Sequence, residues 1–274
     1  MSKHPFLTAI ENGASEAALS GLLADDVVLL APMLTMPVTG PAQVAHVLAC
    51  AARTAGPIEY TLEASDPRQT FLMWNGQSQG LKLQAVTILA DNSQGLIREI
   101  RVLMRPWPVV TLFRNDMYQL LASAIPPGSW ELQPKPEPSA PRQFTPIAMR
   151  HIEAAPDMVL HSPMLAKAVH GKDEVAEAVR IAHEVQSASS YTSIIATPDL
   201  LVELFDCDAD GYPMEGMWIR RINAEGLVNE LSVYLRPYPA VTVLRNRAKQ
   251  IAEEGEFLGG AEYWELPRPP RHIA

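Results

Sequence analysis

The sequence predicts an α+β protein that contains two copies of one domain. The first observation is an internal repeat, because residues 26–34 return as residues 157–165 at a constant offset of 131 positions, without a gap from Asp26 onward. The second observation is a change of period within each copy: apolar residues first recur at helical spacing and then alternate as they do in strands. A repeat this long makes each copy a whole domain rather than one unit of a solenoid.

The helices of the first copy follow from apolar residues at helical spacing and from residues that begin or end helices. Pro41 stands at a favoured first position of a helix, and Gly56 and Pro57 end that helix. The predicted helices cover residues 5–11, 14–23, 42–55 and 110–123. The second copy is expected to have a shorter helical start, because little helix can form between Pro146 and Pro156.

The strands follow from alternation and from turn residues. The predicted strands cover residues 27–31, 58–64, 70–74, 81–89 and 96–104, and the second copy repeats them. Asn75-Gly76 and residues 91–95 have the composition of hairpin turns, so the later strands should form an antiparallel meander. Helices packed on one face of such a sheet define an α+β domain with a cone-shaped interior.

The predicted domains cover residues 1–134 and 142–274. Between them, residues 133–141 contain four prolines in nine positions, a composition typical of a semi-rigid, extended linker. In a chain of 274 residues, each copy is long enough to bury a core of its own.

Composition argues against several classes of function. The net charge of −9 disfavours binding to nucleic acid or to an anionic membrane surface, both of which attract basic proteins. No uninterrupted apolar run is long enough to span a membrane, and residues 1–21 do not have the pattern of a signal peptide. Cys50 and Cys207 are not equivalent in the two copies, so we expect free thiols in a cytoplasmic protein.

Six short segments carry a family resemblance. They are residues 28–32 (VLLAP), 38–40 (VTG), 102–106 (VLMRP), 159–163 (VLHSP), 169–171 (VHG) and 233–237 (VYLRP). With the helices and the meander, they resemble the nuclear transport factor 2-like superfamily, and its SnoaL-like branch most closely. The resemblance covers nearly the whole chain, twice, and implies a cystatin-like cone: N-terminal helices on a strongly curved antiparallel sheet. Such domains commonly dimerise through the outer face of the sheet, so two fused copies are expected to form an intramolecular pseudo-dimer.

The resemblance also indicates where acid–base catalysis would be expected. In isomerases of this superfamily, the residue before the first-strand proline is an aspartate that transfers a proton, whereas here it is Ala31 in one copy and Ser162 in the other. Neither residue can act as a base alone. His161 should face the opposite side of its strand from Ser162, and the histidines show no metal-ligand spacing. We therefore predict no catalytic residue, no metal ligand and no cofactor.

The interior of each cone is predicted to bind a small, largely apolar ligand. The candidate ligand-binding residues are among those expected to face inward: Ala31, Tyr60, Phe71 and Met73 in the first copy, and Ser162, Tyr191, Met214 and Trp218 in the second. Leu62, Val202 and Leu204 belong to the same predicted inward register. The alternative is that packed side chains fill each cone, and the shorter helical start favours this alternative in the second copy.

Two classes of function are compatible with such a lining. One is a binding module, and the other is a SnoaL-like polyketide cyclase or isomerase-type enzyme in which Tyr60 or Ser162 replaces the missing carboxylate. An ionisable side chain with a shifted pKa in a cavity of ligand size would favour the enzyme.

The opposite faces of the same strands predict where the two sheets meet. The residues in this outward register are Val86, Ile88, Ile97 and Leu103 in the first copy and Met217, Ile219, Val228 and Tyr234 in the second. Apolar residues on both faces of a strand imply burial on both faces. We therefore expect the two sheets to pack against each other through these eight residues.

Overall fold

The computed structural model describes residues 3–65, 69–134 and 152–266, with the backbone alone for residues 187–194. The first half contains α1 (Pro5–Glu11), α2 (Glu16–Ser20), β1 (Leu23–Leu30), β2 (Val38–Thr39), α3 (Pro41–Thr54), β3 (Glu59–Ser65), β4 (Thr70–Ser78), β5 (Leu81–Asp91), β6 (Ile97–Arg105), α4 (Trp107–Leu121) and a short 3-10 helix (Pro127–Trp130). The second half contains β7 (Ala154–His161), β8 (Val169–His170), α5 (Lys172–Val185), β9 (Gln186–Ala196), β10 (Leu200–Ala209), β11 (Tyr212–Ile222), β12 (Val228–Arg236), α6 (Tyr238–Glu254) and α7 (Ala261–Trp264). Most elements of the second half begin 131 positions after their counterparts, as the sequence repeat requires.

The strands form one twelve-stranded sheet. In each half four antiparallel strands follow the order of the chain and form a curved sheet of their own. β6 pairs with β12 at Met104 and Leu235 only, which joins these two sheets. β1 lies parallel to β6 and β7 lies parallel to β12, in the same register. The helices of each half pack with the inner face of its meander around an apolar interior. The predicted α+β class, with helices packed on a strongly curved antiparallel sheet, is confirmed.

The helical start of the first half differs from the prediction because of its cap. α2 begins at Glu16 rather than at Ala14, since the Oγ of the N-cap Ser15 accepts a hydrogen bond from the backbone N–H of Ala18 at 3.2 Å. The linker, the domain boundary at residue 142 and the shorter helical start of the second copy involve residues 135–151, which lie outside the described part of the chain. They stay predictions.

A third apolar cluster lies between the two sheets. Its buried members are Phe71, Met73, Val86, Ile88, Leu103, Leu200, Val202, Met217, Ile219 and Tyr234. The outward register was therefore predicted correctly for Val86, Ile88, Leu103, Met217, Ile219 and Tyr234. It is wrong for Ile97 and Val228, which lie inside the cones. A register shift near the start of β6 and of β12 turns these two side chains to the other face of the sheet.

Five residues predicted to face inward lie on the inter-sheet side instead. Phe71, Met73 and Val202 belong to the cluster between the sheets, and Leu62 and Leu204 pack against it. For Leu62 the cause is a bulge that shifts the register of β3 between this residue and Tyr60. For β4 and β10 the cause is composition: both faces of these strands carry apolar residues, so alternation could not distinguish them.

The starts of α4 and α6 contact each other across the junction of the halves. The backbone N–H of Trp107 donates to the carbonyl of Pro163, and that of Tyr238 donates to the carbonyl of Pro32, each at 2.7 Å. The rings of Trp107 and Tyr238 stack with centroids 5.4 Å apart. These reciprocal contacts lie at equivalent positions of the repeat, which is the pattern of a two-fold interface.

Candidate functional site

The two cones differ in how much space they enclose. A cavity of about 320 Å³ lies inside the second cone, whereas the equivalent space in the first cone measures about 50 Å³. A volume of about 300 Å³ is the lower end of the range for small-molecule sites. The expectation that side chains fill the second cone is therefore wrong, and the second cone is the candidate site.

The last helix of each half explains much of this difference. Leu244, Ala248 and Ala252 of α6 line the cavity of the second cone, and the repeat places them opposite Phe113, Met117 and Leu121 of α4. All three α4 side chains are fully buried in the core of the first half. Each substitution removes carbon atoms from the same face of the helix, so the second interior is less completely filled.

Aromatic side chains and the N-terminal helix occupy most of the first cone. Tyr60, Trp74 and Phe113 line the small remaining space together with Phe6 and Ile10 of α1. The indole N–H of Trp74 donates to Thr87 Oγ1 at 3.0 Å, which satisfies a buried donor. Burial, and secondarily the charge of Glu11, raise the pKa of Tyr60, so its hydroxyl stays protonated. The first cone is therefore a packed core.

Ser162 stands at the end of β7, in the position where isomerases of the superfamily carry their base. Its side chain lines the second cavity and is 5% exposed. Its Oγ accepts a hydrogen bond from the backbone N–H of Met164 at 3.2 Å, which leaves the hydroxyl proton able to donate to a ligand. His161 does not line this cavity. Its Nε2 lies 3.9 Å from Glu230 Oε1.

Arg220, the cationic partner of a buried ion pair, forms part of the cavity wall. Arg220 on β11 is 7% exposed, and its Nη1 lies 3.0 Å from Glu203 Oε2. Its guanidinium also lies over the ring of Trp218, 4.8 Å from the centroid. Because Glu203 neutralises Arg220, this wall presents polarity without net charge, and it favours a neutral ligand.

Trp218 is held by aromatic neighbours. Its ring packs edge-on against Phe205, with centroids 5.4 Å apart, and lies 6.3 Å from His183. Phe205 in turn covers Gly216, where a Cβ atom would lie 2.1 Å from the Phe205 ring. Glycine at position 216 therefore lets Phe205 support Trp218 from below the cavity wall.

His183 and Gln186 complete the polar part of the lining, and the sequence analysis did not select them. His183 lies on α5 at the exposed edge of the cavity. Partial removal from water lowers the pKa of His183 below its ordinary value, so its imidazole is neutral near pH 7. A signal was present in the sequence: His183 follows Val175 and Val179 at four-residue intervals along the inward face of its helix.

The predicted site residues fall in four places. Ser162 and Trp218 line the second cavity, and Ala31 and Tyr60 line the first. Met214 belongs to the second core but borders a different, outer cavity beside residues 132–134. Phe71 and Met73 lie between the sheets, so their predicted inward position is wrong. The side chain of Tyr191 lies outside the described part of the chain.

Within the described ranges, no three histidine, cysteine or acidic side chains lie together as a metal site would require. None of the described helices is both long enough and apolar enough to cross a bilayer.

The parallel first strand, the helix that follows it and the curved meander occur in both halves in the same order. Both halves have the cone-shaped α+β fold that the resemblance to the nuclear transport factor 2-like superfamily predicts. No protein-family model matches the sequence, and no curated protein matches it. Among solved structures, an uncharacterised protein with a cystatin-like fold from Silicibacter pomeroyi is 24% identical (44% of this chain, 88% of that chain, TM-score 0.42). A steroid delta-isomerase from Pseudomonas aeruginosa is 22% identical (43% and 87%, TM-score 0.41). An NTF2-like protein of unknown function from Cytophaga hutchinsonii is 15% identical (39% and 88%, TM-score 0.32).

Proposed function

We propose that the chain binds a small, neutral, largely apolar molecule in the second cone. The observation that carries the proposal is the cavity of about 320 Å³, whose wall is largely apolar and carries Ser162, His183, Gln186 and Arg220 as its polar side chains. Glu203 neutralises Arg220. An apolar wall with a few polar groups is typical of small-molecule sites, in which burial supplies affinity and hydrogen bonds supply orientation. The first cone acts as a structural partner.

A fluorescent probe tests this proposal. 1-Aminoanthracene is neutral, apolar and rigid, and its binding in the second cone should quench the fluorescence of Trp218. Ala248→Met introduces the residue that the first half carries at the equivalent position, so we expect probe binding to weaken at least tenfold. Ala176→Met makes the same change on the exposed face of α5 and should leave binding unchanged. Equal probe affinity in wild type and Ala248→Met would contradict the proposal.

A second candidate function is a SnoaL-like cyclase or isomerase-type enzyme, which the neutral imidazole of His183 at the cavity edge favours. Against it, the first-strand position that supplies the base is Ala31 in one half and Ser162 in the other. We therefore expect no catalysed exchange of deuterium at the carbon next to the carbonyl in a panel of cyclic ketones. Exchange that is lost in His183→Gln but kept in Tyr60→Phe would establish the enzyme.

We also propose that the chain is an intramolecular pseudo-dimer of domains 1–134 and 142–274. The apolar cluster between the sheets and the reciprocal hydrogen bonds of Trp107 and Tyr238 support it. Either domain produced alone should therefore dimerise or aggregate, which light scattering can measure.

The buried free thiols Cys50 and Cys207 support a reducing compartment such as the cytoplasm.

A further inference from the structure

The two corners where the halves meet carry equivalent positions of the repeat but different charges. The first corner consists of Lys82, Gln84 and Arg105 from the first half with His161, Glu230 and Ser232 from the second, which the pairing of β5 with β6, of β6 with β12 and of β12 with β7 brings together. The second corner consists of the residues at the equivalent positions, which are Pro213, Glu215 and Arg236 with Leu30, Glu99 and Arg101. The two corners therefore differ in how their charged side chains are paired.

The second corner neutralises itself. Arg236 Nη1 lies 2.5 Å from Glu215 Oε2, and Arg101 Nε lies 3.6 Å from the same oxygen. Arg101 Nη2 also lies 3.0 Å from Glu99 Oε1. Two guanidinium groups therefore face two carboxylates, and each buried charge has a counter-charge nearby.

The first corner holds a buried arginine for which the described residues supply no ion-pair partner. Arg105 is 6% exposed, and its Nε has no hydrogen-bond partner. Its guanidinium lies over the ring of Tyr234, 5.4 Å from the centroid, a contact that does not neutralise charge. Gln84, the cross-strand partner of Arg105, stands where Glu215 supplies the carboxylate in the second corner.

The surroundings of Arg105 add positive charge. Gln84 pairs with Arg105 across β5 and β6, and Lys82 lies two residues before Gln84 on β5. After burial, the charge of Arg105 and more weakly that of Lys82 lower the pKa of His161. Glu230, the acidic residue at this corner, lies near two other groups. Its Oε1 is 3.8 Å from Arg221 Nε and 3.9 Å from His161 Nε2. Ser232 occupies the position of Arg101, so a short neutral side chain stands here where the second corner has an arginine.

We propose that the first corner binds a small oxyanion, the phosphate or carboxylate group of a small molecule, through Arg105 with Lys82 and His161. The guanidinium offers a fork of N–H donors that suits two oxygens of one anion. The bound group takes the place that the Glu215 carboxylate has in the second corner. This site is separate from the second cone, whose wall includes none of these residues.

Thermal unfolding with inorganic phosphate and with acetate tests the proposal, and sodium chloride at matched ionic strength is the reference. The midpoint of the wild-type protein should rise saturably with one of the two anions, by about 2–4 °C above the chloride reference. A response to phosphate or to acetate identifies which oxyanion the site takes. Equal midpoints in phosphate, acetate and chloride would overturn the proposal.

Two variants test whether the anion-dependent rise of the unfolding midpoint depends on Arg105. Gln84→Glu reproduces the residue of the second corner and should supply Arg105 with an internal partner, which raises the anion-free midpoint and abolishes the anion response. Arg105→Gln should abolish the response as well. Gln94→Glu and Lys249→Gln make the same changes of charge at distant surface positions and should keep the full response. A full anion response in Gln84→Glu overturns the proposal even if Arg105→Gln does not fold.

His161 supplies a local reporter. The burial of His161, and next the charge of Arg105, hold its pKa below the ordinary value, and a bound anion would oppose the effect of Arg105. Nuclear magnetic resonance of the imidazole should therefore show the pKa of His161 rising on addition of the stabilising anion. The pKa of His183, in the second cone, should stay constant. A stabilising anion that leaves the pKa of His161 unchanged binds elsewhere and refutes the assignment.

Discussion

The two cones have one fold and one order of elements, yet one is filled and the other encloses a cavity. On the strands, Leu72 and Leu89 of the first half correspond to Glu203 and Arg220 of the second. On the last helix, three large side chains of the first half correspond to Leu244, Ala248 and Ala252 of the second. The comparison teaches that the backbone of this fold does not by itself determine a ligand site, because a few side chains decide whether the interior is core or cavity.

The largest difference between the cones should appear when the equivalent helix residues are truncated. Phe113→Ala should lower the free energy of unfolding by about 3–5 kcal/mol, because it opens a new cavity in a filled core. Leu244→Ala should cost about 2 kcal/mol, the low end for such changes, because one side of Leu244 already faces empty space. Urea denaturation measures both values. An equal or larger loss for Leu244→Ala would mean that the second cone is as tightly packed as the first.

A similar loss is expected when one partner of the buried ion pair is removed. Glu203→Gln should destabilise the protein by about 3–5 kcal/mol, because Arg220 keeps its charge in a buried position. The double variant Glu203→Leu/Arg220→Leu reproduces Leu72 and Leu89 of the first half. It should be at least as stable as wild type in the same urea experiment. A double variant as unstable as Glu203→Gln would show that the second cone cannot accept the apolar pair.

A smaller effect is expected at the glycine beneath Phe205. Gly216→Ala places a Cβ atom 2.1 Å from the Phe205 ring, so we expect a loss of about 1–3 kcal/mol and weaker probe binding as Trp218 shifts. The equivalent residue of the first half is Ala85, and Ala85→Gly should cost about 0.5–1 kcal/mol without an effect on the probe. Calorimetry and probe titration provide the two readouts, and unchanged probe affinity in Gly216→Ala would rule out this support of Trp218.

The smallest effect concerns pH. The pKa values of His161 and His183 both lie below the ordinary value of about 6.5 in the folded protein, chiefly through desolvation. The unfolded chain therefore binds more protons, and stability should fall as the pH drops through about 6.5 toward 5. His161→Gln and His183→Gln should each make this fall shallower in urea midpoints measured from pH 5 to 8. A steeper loss of stability with falling pH in both variants would mean that folding raises the two pKa values instead of lowering them.

Sequence reasoning predicted the fold well and the lining in part. The repeat, the order of elements and the replacement of the base by Ala31 and Ser162 all follow from positions in the chain. The outward direction of Phe71 and Met73 could not be predicted, because residues 71–74 are apolar on both faces of β4. Leu62 was misassigned because a single bulge reverses the faces of a strand, and apolar alternation does not reveal it.

The open second cone could have been predicted from the repeat itself. Aligning α4 with α6 shows that the inward side chains become smaller, and aligning β4 with β10 shows a leucine replaced by Glu203. The shorter helical start indicated the opposite, a filled second cone. The unpartnered Nε of Arg105 is different, because it becomes visible only when the two corners are compared in three dimensions.

Xenon binding tests the central claim, an open second cone beside a filled first cone, most directly. Dry apolar cavities bind xenon, so crystals of the protein pressurised with this gas report each interior separately. We expect xenon density beside Leu244 and Ala248 in the second cone and none beside Phe113 and Met117 in the first. Xenon in neither cone, or with equal occupancy in both, would contradict the account.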